Sequence, residues 1–576
     1  MLKLARFLKP YAPLVAAAMF FLFVQAFSEL YLPNLMAEIV DVGIRQGKTG
    51  FIYSVGLRML LVALVGVVAS VIVGFALSRI AAGVTRDVRR EVFRSVTDFS
   101  GAELDSFSTA SLITRTTNDV GQLLHLILMG GRMLCFAPIM GIGSIVLAVQ
   151  KNVSMSWTLA LAVIFVVGFI AIIFNVAMPK FKIVQKLVDR LNLVSREHLS
   201  GLMVIRAFGT QEFERKRFAK ANDDLTSVNL FVNRVMVMMG PMIMIVMNGL
   251  SLLIIWVGAH QVAASTMQVG DMMAYLQYGM HVVMSFLFVS MMFIMIPRAA
   301  VSADRIAEVL STDPSILDPE TPAAVDPAKR GLVEFRNVSF RYSGAEENVL
   351  HSVSFEAKPG ETVAFVGPTG SGKSTLINLI PRFYDVTGGE ILVGGVDVRS
   401  LPQDVLRREI GYVPQKGVLM SGTVASNIRY GAPDANADEV AEAARVAQAA
   451  DFIAEREGCY ESRIAEGGAN VSGGQKQRLS IARALARKPP IYIFDDSFSA
   501  LDFKTDAALR AALARYTGSS TVLIVAQRIN TVLNADRIVV LDKGVVVGIG
   551  THDELLSSCE LYRELATSQL GGEALA

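Results

Sequence analysis

The sequence predicts a membrane all-α domain of six transmembrane helices fused to a cytosolic α/β P-loop domain. Composition is the first reason: 52% of the 576 residues are hydrophobic and 18% charged. The mean hydropathy of +0.46 is far above that of a soluble chain. The second reason is where the apolar residues lie. Windows long enough to cross about 30 Å of hydrocarbon, which takes roughly 20 helical residues, occur only before about residue 300. Beyond Pro297, short apolar strands alternate with Gly-rich turns and charged helices. A net charge of +2 offers no basic field for nucleic acid. Three distant cysteines, Cys135, Cys459 and Cys559, provide neither a disulfide framework nor a clustered metal site. The apolar content also excludes disordered and low-complexity classes.

Six spans are expected, near residues 13–33, 57–78, 129–150, 156–178, 236–258 and 272–296, within a membrane domain covering 1–310. Lys3, Arg6 and Lys9 followed by Ala16-Ala17-Ala18 imitate a signal peptide. The apolar run continues to Leu32 and five more spans follow, so it reads as a retained helix. Basic residues crowd the connections at 84–128 and 179–235 (Arg86, Arg89, Arg90, Arg94; Lys180, Lys182, Lys186, Arg215, Lys216, Arg217) and are missing from 259–271. This puts both termini and the P-loop domain on the cytoplasmic side of the inner (plasma) membrane. Trp157 and Trp256 then both fall at the outer ends of their spans, where an aromatic belt is expected. The two basic connections read as helix extensions that reverse at Ser100–Thr109 and Gly209–Glu214. Such reversals either touch the soluble domain or merely cap long hairpins. Residues 311–330, rich in Pro and Asp, read as a linker, and 331–570 as the soluble domain.

Gly367, Pro368, Thr369, Gly370, Ser371, Gly372, Lys373, Ser374 and Thr375 form GPTGSGKST between the apolar strand Val363–Val366 and the helical run Leu376–Ile380. That is the setting a P-loop needs: glycines let backbone N–H groups close around phosphate oxygens, and the helix N-terminus adds a favourable dipole. Lys373 then reaches the β/γ-phosphates and the Ser374 hydroxyl ligates Mg²⁺. Pro490–Asp496, PIYIFDD, is a buried strand ending in two carboxylates. Asp495 suits a Mg²⁺ held through its water shell, and Asp496 suits a base that orients the attacking water. Upstream, Val471, Ser472, Gly473, Gly474 and Gln475 (VSGGQ) open a helix whose donors suit a γ-phosphate approached from the opposite side.

With these three motifs in order, the chain resembles an ATP-binding cassette (ABC) exporter half over essentially its whole length. The resemblance implies a type I exporter (type IV ABC) fold, ATP and Mg²⁺ as ligands, and export driven by ATP hydrolysis. It also implies that Tyr342 in FRYSG stacks on adenine and that Gln415 in YVPQKG is the Q-loop glutamine sensing Mg²⁺ and the membrane domain. Glu466 resembles the acidic X-loop residue, and Ser499–Asp502 (SALD) the D-loop, with Asp502 its aspartate. Ser100–Val120 and Glu197–Gln211 resemble the two intracellular loops with their coupling helices.

Two positions depart from the family pattern. The catalytic carboxylate is usually Glu, whereas Asp496 is one methylene shorter, and the switch histidine is replaced by Gln527. Misplacing a reacting group by about 1 Å can cost on the order of a hundredfold in rate, and a neutral amide carries no proton or positive charge. By the resemblance, each ATP sits between one chain's P-loop and the other chain's signature. Both departures therefore weaken one composite site, while the VSGGQ this chain donates is intact. A heterodimer with a second half-transporter carrying Glu and His is the expected arrangement; the alternative is a slow homodimer.

Gln25, Glu29, Asn248, Gln277 and His281 are polar residues within spans, costly in hydrocarbon unless paired or lining a cavity. They are candidates for a substrate cavity, although an interhelical partner or the outer interface accounts equally for Glu29. Met238, Met239, Met242, Met244, Met247, Met280, Met284, Met291, Met292 and Met295 enrich the fifth and sixth spans. Most are expected to serve helix packing, and flexible thioethers also suit promiscuous apolar binding. The expected cargo is apolar or amphiphilic, drug- or lipid-like, leaving the lipid of the cytoplasmic leaflet. Rival readings are a homodimeric transporter of lipid, peptide or siderophore-related cargo, and an ATP-gated channel or regulatory membrane protein.

Overall fold

A computed structural model describes residues 2–570. They form two compact units, one running to Thr97 and then Thr109–Thr312, the other comprising Asp98–Ser108 and the chain from Asp313.

The first unit holds six helices long and apolar enough to cross a membrane: Leu4–Ile44, Thr49–Asp98, Thr109–Lys151, Val153–Ser200, Gln211–Ala263 and Val269–Leu310. Each expected span lies inside one of them. The 50 residues of the second extend about 75 Å at 1.5 Å per residue, more than twice the hydrocarbon thickness, so the helices continue well beyond a bilayer. On this helix Leu57, Leu60, Leu61, Leu64, Val67 and Val71 are exposed, as lipid contact requires, while Gly66, Ala69, Val73 and Ala76 are buried. Small residues let helix backbones approach: a Cβ on Gly66 would lie 3.2 Å from the Ser28 Cβ. The buried Tyr278 of the sixth span donates its hydroxyl to the Leu30 carbonyl of the first at 3.1 Å.

Two π-helical segments, Arg115–Asp119 and Leu126–Gly130, interrupt the third long helix, and nothing in the apolar pattern anticipated them. Each extra residue advances the following side chains by about 100° around the axis. Arg115 pairs with Glu308 at 2.7 Å and donates to the Arg305 carbonyl at 2.8 Å, and Asp119 accepts from Ser302 at 2.7 Å.

The second expected reversal is displaced. A short helix covers Leu202–Ala207 and the next begins at Gln211, so the turn occupies 208–210 and Gln211–Glu214 is already helical. The acidic Glu212 and Glu214 favour a helix N-terminus, where they complement its dipole. Its tip is apolar and uncovered, with Met203 and Phe208 each 78% exposed.

In the second unit, β1 (Val333–Phe340), β2 (Leu350–Ala357), β3 (Thr362–Val366), β4 (Gly388–Val393), β5 (Val396–Asp397) and β6 (Ile410–Val413) precede the signature helix. So do β7 (Gly422–Thr423) and β8 (Arg463–Ile464); β9 (Ile491–Asp495), β10 (Thr521–Val525), β11 (Arg537–Asp542) and β12 (Val545–Gly550) follow it. One sheet runs β2-β1-β4-β5 and is antiparallel; another runs β12-β11-β3-β10-β9-β6, parallel except for β12 at the edge; β7 and β8 pair by themselves. Every residue of β9 and β10 is buried, the continuous apolar run of a parallel strand covered on both faces. Val525 lies opposite both Phe365 and Asp495, and Val413 opposite Phe494. This register brings the carboxyl ends of four strands level.

The Pro- and Asp-rich stretch is not a free tether. Ile316 is buried, the Ala323 N–H donates to the Ser400 carbonyl at 2.9 Å, and Asp318 accepts from the Gln403 N–H at 2.9 Å. The segment Asp98–Ser108 belongs to this unit through equally specific contacts. The short helix Gly101–Ser106 is held by a bond from the Gly101 N–H to the Phe383 carbonyl at 3.2 Å and from the Tyr384 hydroxyl to Asp105 at 2.8 Å. Burial pushes the Glu103 carboxyl up, but bonds from Ser100 and Ser315 outweigh it and hold the group below the usual carboxylate range.

Candidate active site

The four level strand ends carry the chemistry, as parallel α/β sheets do. The P-loop leaves β3 through Gly367, whose φ of 148° and close approach to the Leu541 carbonyl leave no room for a side chain. Lys373 opens the following helix and is buried. Its Nζ donates to the Gly367 and Pro368 carbonyls at 2.9 and 2.8 Å. Phosphate oxygens entering the loop would take over those bonds. Burial pushes the Lys373 ammonium down, and Asp496 and Asp495 oppose that shift.

Asp495 and Asp496 close β9. The Ser374 hydroxyl donates to Asp495 Oδ1 at 2.9 Å. Burial raises the Asp495 carboxyl, with Asp496 adding to the rise and Ser374 opposing it. Asp496 is also raised by burial, against bonds from Gln415, Ser499 and the Gln527 backbone. Its φ of 45° puts it in the left-handed region, a conformation that costs a non-glycine residue about 1–3 kcal/mol and collects at functional sites. The Asp496 N–H is held by the Val525 carbonyl at 3.0 Å. Gln415, two residues beyond β6, approaches Asp496 Oδ2 with its Nε2 at 3.4 Å.

These residues fit a hard cation. A hydroxyl and a buried carboxylate converge as oxygen donors, the set Mg²⁺ takes when phosphates and water complete its shell. Among the described residues no group of three or more His, Cys, Asp or Glu could hold a metal unaided. Mg²⁺ bound by Ser374, with Asp495 and Gln415 beside it, would neutralise developing phosphate charge.

The Tyr342 hydroxyl lies 3.0 Å from Thr375 Oγ1, and its ring stands edge-on to Phe340 and Tyr384 at 4.9 and 5.2 Å. Gln527 follows β10 with an exposed side chain, and its carbonyl accepts from Gln569 at 2.9 Å. Ser472 caps the helix Gly473–Ala486 through a capping box with Gln475. Asp502 caps Phe503–Tyr516. Among the described residues no hydrogen bond joins VSGGQ to the P-loop, so the chain assembles the P-loop side of the site and presents its signature elsewhere. Sequence reasoning missed Tyr384, Asp105, Gln569 and Gln477, a buried residue whose Nε2 donates to the Pro414 carbonyl at 3.3 Å. Only the last carried a signal, standing two residues beyond the signature on the same helix.

Of the membrane candidates, Gln25 and Glu29 are joined by a 3.0 Å hydrogen bond. Gln25 Oε1 and His281 Nδ1 are buried and have no hydrogen-bond partner among the described residues. Asn248 and Gln277 are exposed. Met292 is buried and Met239, Met242, Met247, Met280 and Met295 are half-buried, whereas Met238, Met244, Met284 and Met291 are exposed.

Six apolar helices joined to a P-loop domain with a magnesium-type carboxylate and a separate signature helix define a membrane-embedded, ATP-hydrolysing transporter. Residues 15–286 match the ABC transporter transmembrane region, and residues 350–499 the ABC transporter domain. The chain is 42% identical over 569 residues to an uncharacterized ABC transporter ATP-binding protein of Mycobacterium tuberculosis, covering 98% of this chain and 97% of that protein. It is 33% identical over 528 residues to an ATP-dependent lipid A-core flippase of Pseudomonas fluorescens, covering 90% and 86%. Among solved structures, a bacterial Atm1-family ABC exporter with ATP bound is 26% identical, with a TM-score of 0.77 over 97% of this chain and 98% of that one. The chain belongs to the ABC transporter family, as a multi-pass membrane exporter whose ATPase drives transport.

Proposed function

We propose that this chain is one half of a heterodimeric exporter that moves apolar or amphiphilic, drug- or lipid-like molecules out of the cytoplasmic leaflet. Its own ATP site is slow, and its signature completes a competent site on the partner. The observation that carries this reading is the pair Asp496 and Gln527 at one site. The shorter carboxylate is approached by the Gln415 amide at 3.4 Å, and the Gln527 side-chain amide supplies no charge to the γ-phosphate. Tyr342 stacks the base, the P-loop from Gly367 to Thr375 holds the phosphates, and Ser374, Asp495 and Gln415 hold Mg²⁺. The uncovered apolar tip around Met203 and Phe208 supports a partner subunit, since exposed apolar patches mark interaction surfaces. The clustering of Lys and Arg supports cytosolic termini and a cytosolic nucleotide domain. Gln25, Glu29 and His281 offer polar contact to the head of an amphiphile, with Asn248 and Gln277 on exposed faces of the neighbouring spans. The relation to a lipid A-core flippase supports a lipid-like cargo.

ATP turnover of the chain alone, and then with the second half-transporter, tests this. Little turnover alone, rising on assembly and rising again in Asp496→Glu with Gln527→His, is the expected result. Brisk hydrolysis by the lone chain would overturn the slow-site reading. ATP-dependent accumulation of an amphiphile in inverted vesicles distinguishes a pump from a channel, which would pass solute with non-hydrolysable ATP.

A further inference from the structure

The chain passes between its two units three times, at 97–98, 108–109 and 312–313. These are the covalent routes by which movement at the nucleotide site reaches the membrane helices: the second helix ends at Asp98, the third begins at Thr109 and the sixth ends at Leu310. One carboxylate joins them. Glu103, buried on the short helix Gly101–Ser106, uses its two oxygens differently. Oε2 accepts from the Ser100 N–H at 2.9 Å and from the Ser100 hydroxyl, closing a capping box. Oε1 accepts from the Ser315 N–H at 3.3 Å. With the Ser100 proton given to Glu103, the Ser315 hydroxyl is the donor in its 2.8 Å contact with Ser100 Oγ. Two bonds therefore tie the hairpin tip Asp98–Ser108 to the segment that leaves the sixth helix.

Three successive residues just past the P-loop helix Lys373–Leu379 hold both segments. Arg382 Nη1 donates to the Leu317 carbonyl at 3.3 Å, the Phe383 carbonyl accepts from the Gly101 N–H at 3.2 Å, and the Tyr384 hydroxyl donates to Asp105 at 2.8 Å. Arg382 is itself fixed, buried with a φ of 56° and paired with both oxygens of Asp385 at 2.7 and 3.1 Å. Helix capping does not require the Ser315 bonds, because Oε2 and Ser100 complete the cap alone. Nor does burial require them: Ser315 is exposed, so water would serve its N–H and hydroxyl without penalty. What they add is a cross-link between segments 212 residues apart. We propose that Glu103 is a positioning residue in energy coupling, locking the hairpin tip to the linker so that residues 382–384 carry both as one body when nucleotide binds. The second, third and sixth helices then receive one movement in place of three independent ones. Glu103 touches no nucleotide atom itself.

The test is hydrogen–deuterium exchange of the sixth helix, Val269–Leu310, with and without MgATP, in the full-length transporter in lipid nanodiscs. Glu103→Gln is the discriminating variant. Gln serves a capping box as well as Glu does, but its amide turns an NH₂ donor toward the Ser315 N–H, where the carboxylate offered an acceptor. It should bind ATP as the parent does and lose most of the MgATP response of the sixth helix. Ser100→Cys with Ser315→Cys, in a chain whose exposed Cys459 is replaced by Ala, supplies the rescue. The two hydroxyl oxygens lie 2.8 Å apart, where sulfurs can form a disulfide of about 2.05 Å. Oxidised, this pair should restore the response in Glu103→Gln and leave it intact in the parent; with free thiols it should not restore it. A parental response in Glu103→Gln, no MgATP response in the parent itself, thiols that fail to join, or an oxidised pair that blocks the response would overturn the proposal. If Glu103→Gln fails to fold, Ser315→Ala decides: a weakened response supports the joint and a parental one overturns it.

Discussion

The Tyr384 hydroxyl should couple the nucleotide site to the first hairpin tip. Its ring packs edge-on against Tyr342 at 5.2 Å, and its hydroxyl donates to Asp105 at 2.8 Å. Burial, and then Asp105, push the phenol up, so it remains a donor at any assay pH. Tyr384→Phe removes the second contact and keeps the first. A hydrogen bond to a charged group contributes roughly 1.5–3 kcal/mol; this one is solvent-exposed, and about 1 kcal/mol is the appropriate figure. That is about fivefold in the docking of Gly101–Ser106. The assay is ATP turnover in nanodiscs with and without a stimulating amphiphile. Tyr384→Phe and Asp105→Ala should each lower the stimulated-to-basal ratio about fivefold, and the double variant should lose no more than either. The KM for ATP should be unchanged in Tyr384→Phe and raised in Tyr384→Ala, which also removes the ring from Tyr342. Additive losses, or a KM shift in Tyr384→Phe, would refute the coupling, because only a non-additive cycle demonstrates it.

Three further outcomes are expected. A Cβ on Gly101 would lie 2.5 Å from the Tyr384 ring and 2.9 Å from the Phe383 carbonyl; Gly101→Ala should therefore uncouple stimulation while basal turnover persists. Thr521 is fully buried and its hydroxyl bonds the Gly331 and Lys358 carbonyls; Thr521→Val, leaving acceptors unpaired, should cost about 1–3 kcal/mol in denaturant unfolding, and a parental midpoint would contradict this. Burial pushes the fully buried Tyr562 up to about 12 from an unfolded value near 10. The stabilising contribution of its protonated form is complete below about pH 10 and is lost as pH rises through 12, about 3 kcal/mol in all. Calorimetry of Tyr562→Phe should show a shallower alkaline decline than the parent.

Much of the fold was legible because its signals are local. A run of some 20 apolar residues has one stable form in lipid, and GPTGSGKST states its own loop, helix and phosphate chemistry within nine residues. The π turns at Arg115–Asp119 and Leu126–Gly130 were not legible, since an extra residue in a helix leaves the apolar composition unchanged. Neither was the start of a helix at Gln211, where acidic residues that complement the helix dipole resembled a polar turn.

The sequence by itself determined the partition into membrane helices and ATPase domain, the identity of the phosphate- and magnesium-binding residues, and the two departures Asp496 and Gln527. All are properties of short segments read in place. The tertiary structure alone decided which residues stand together. Strand order β3-β10-β9-β6, which no segment encodes, sets Gln527 beside Asp496 and Gln415 against it. Pairing across 279 residues brings Asp105 to Tyr384, and across 42 residues Gln569 to Gln527. Such contacts follow from the packing of distant segments on a common core, and a chain read in one dimension carries no record of them.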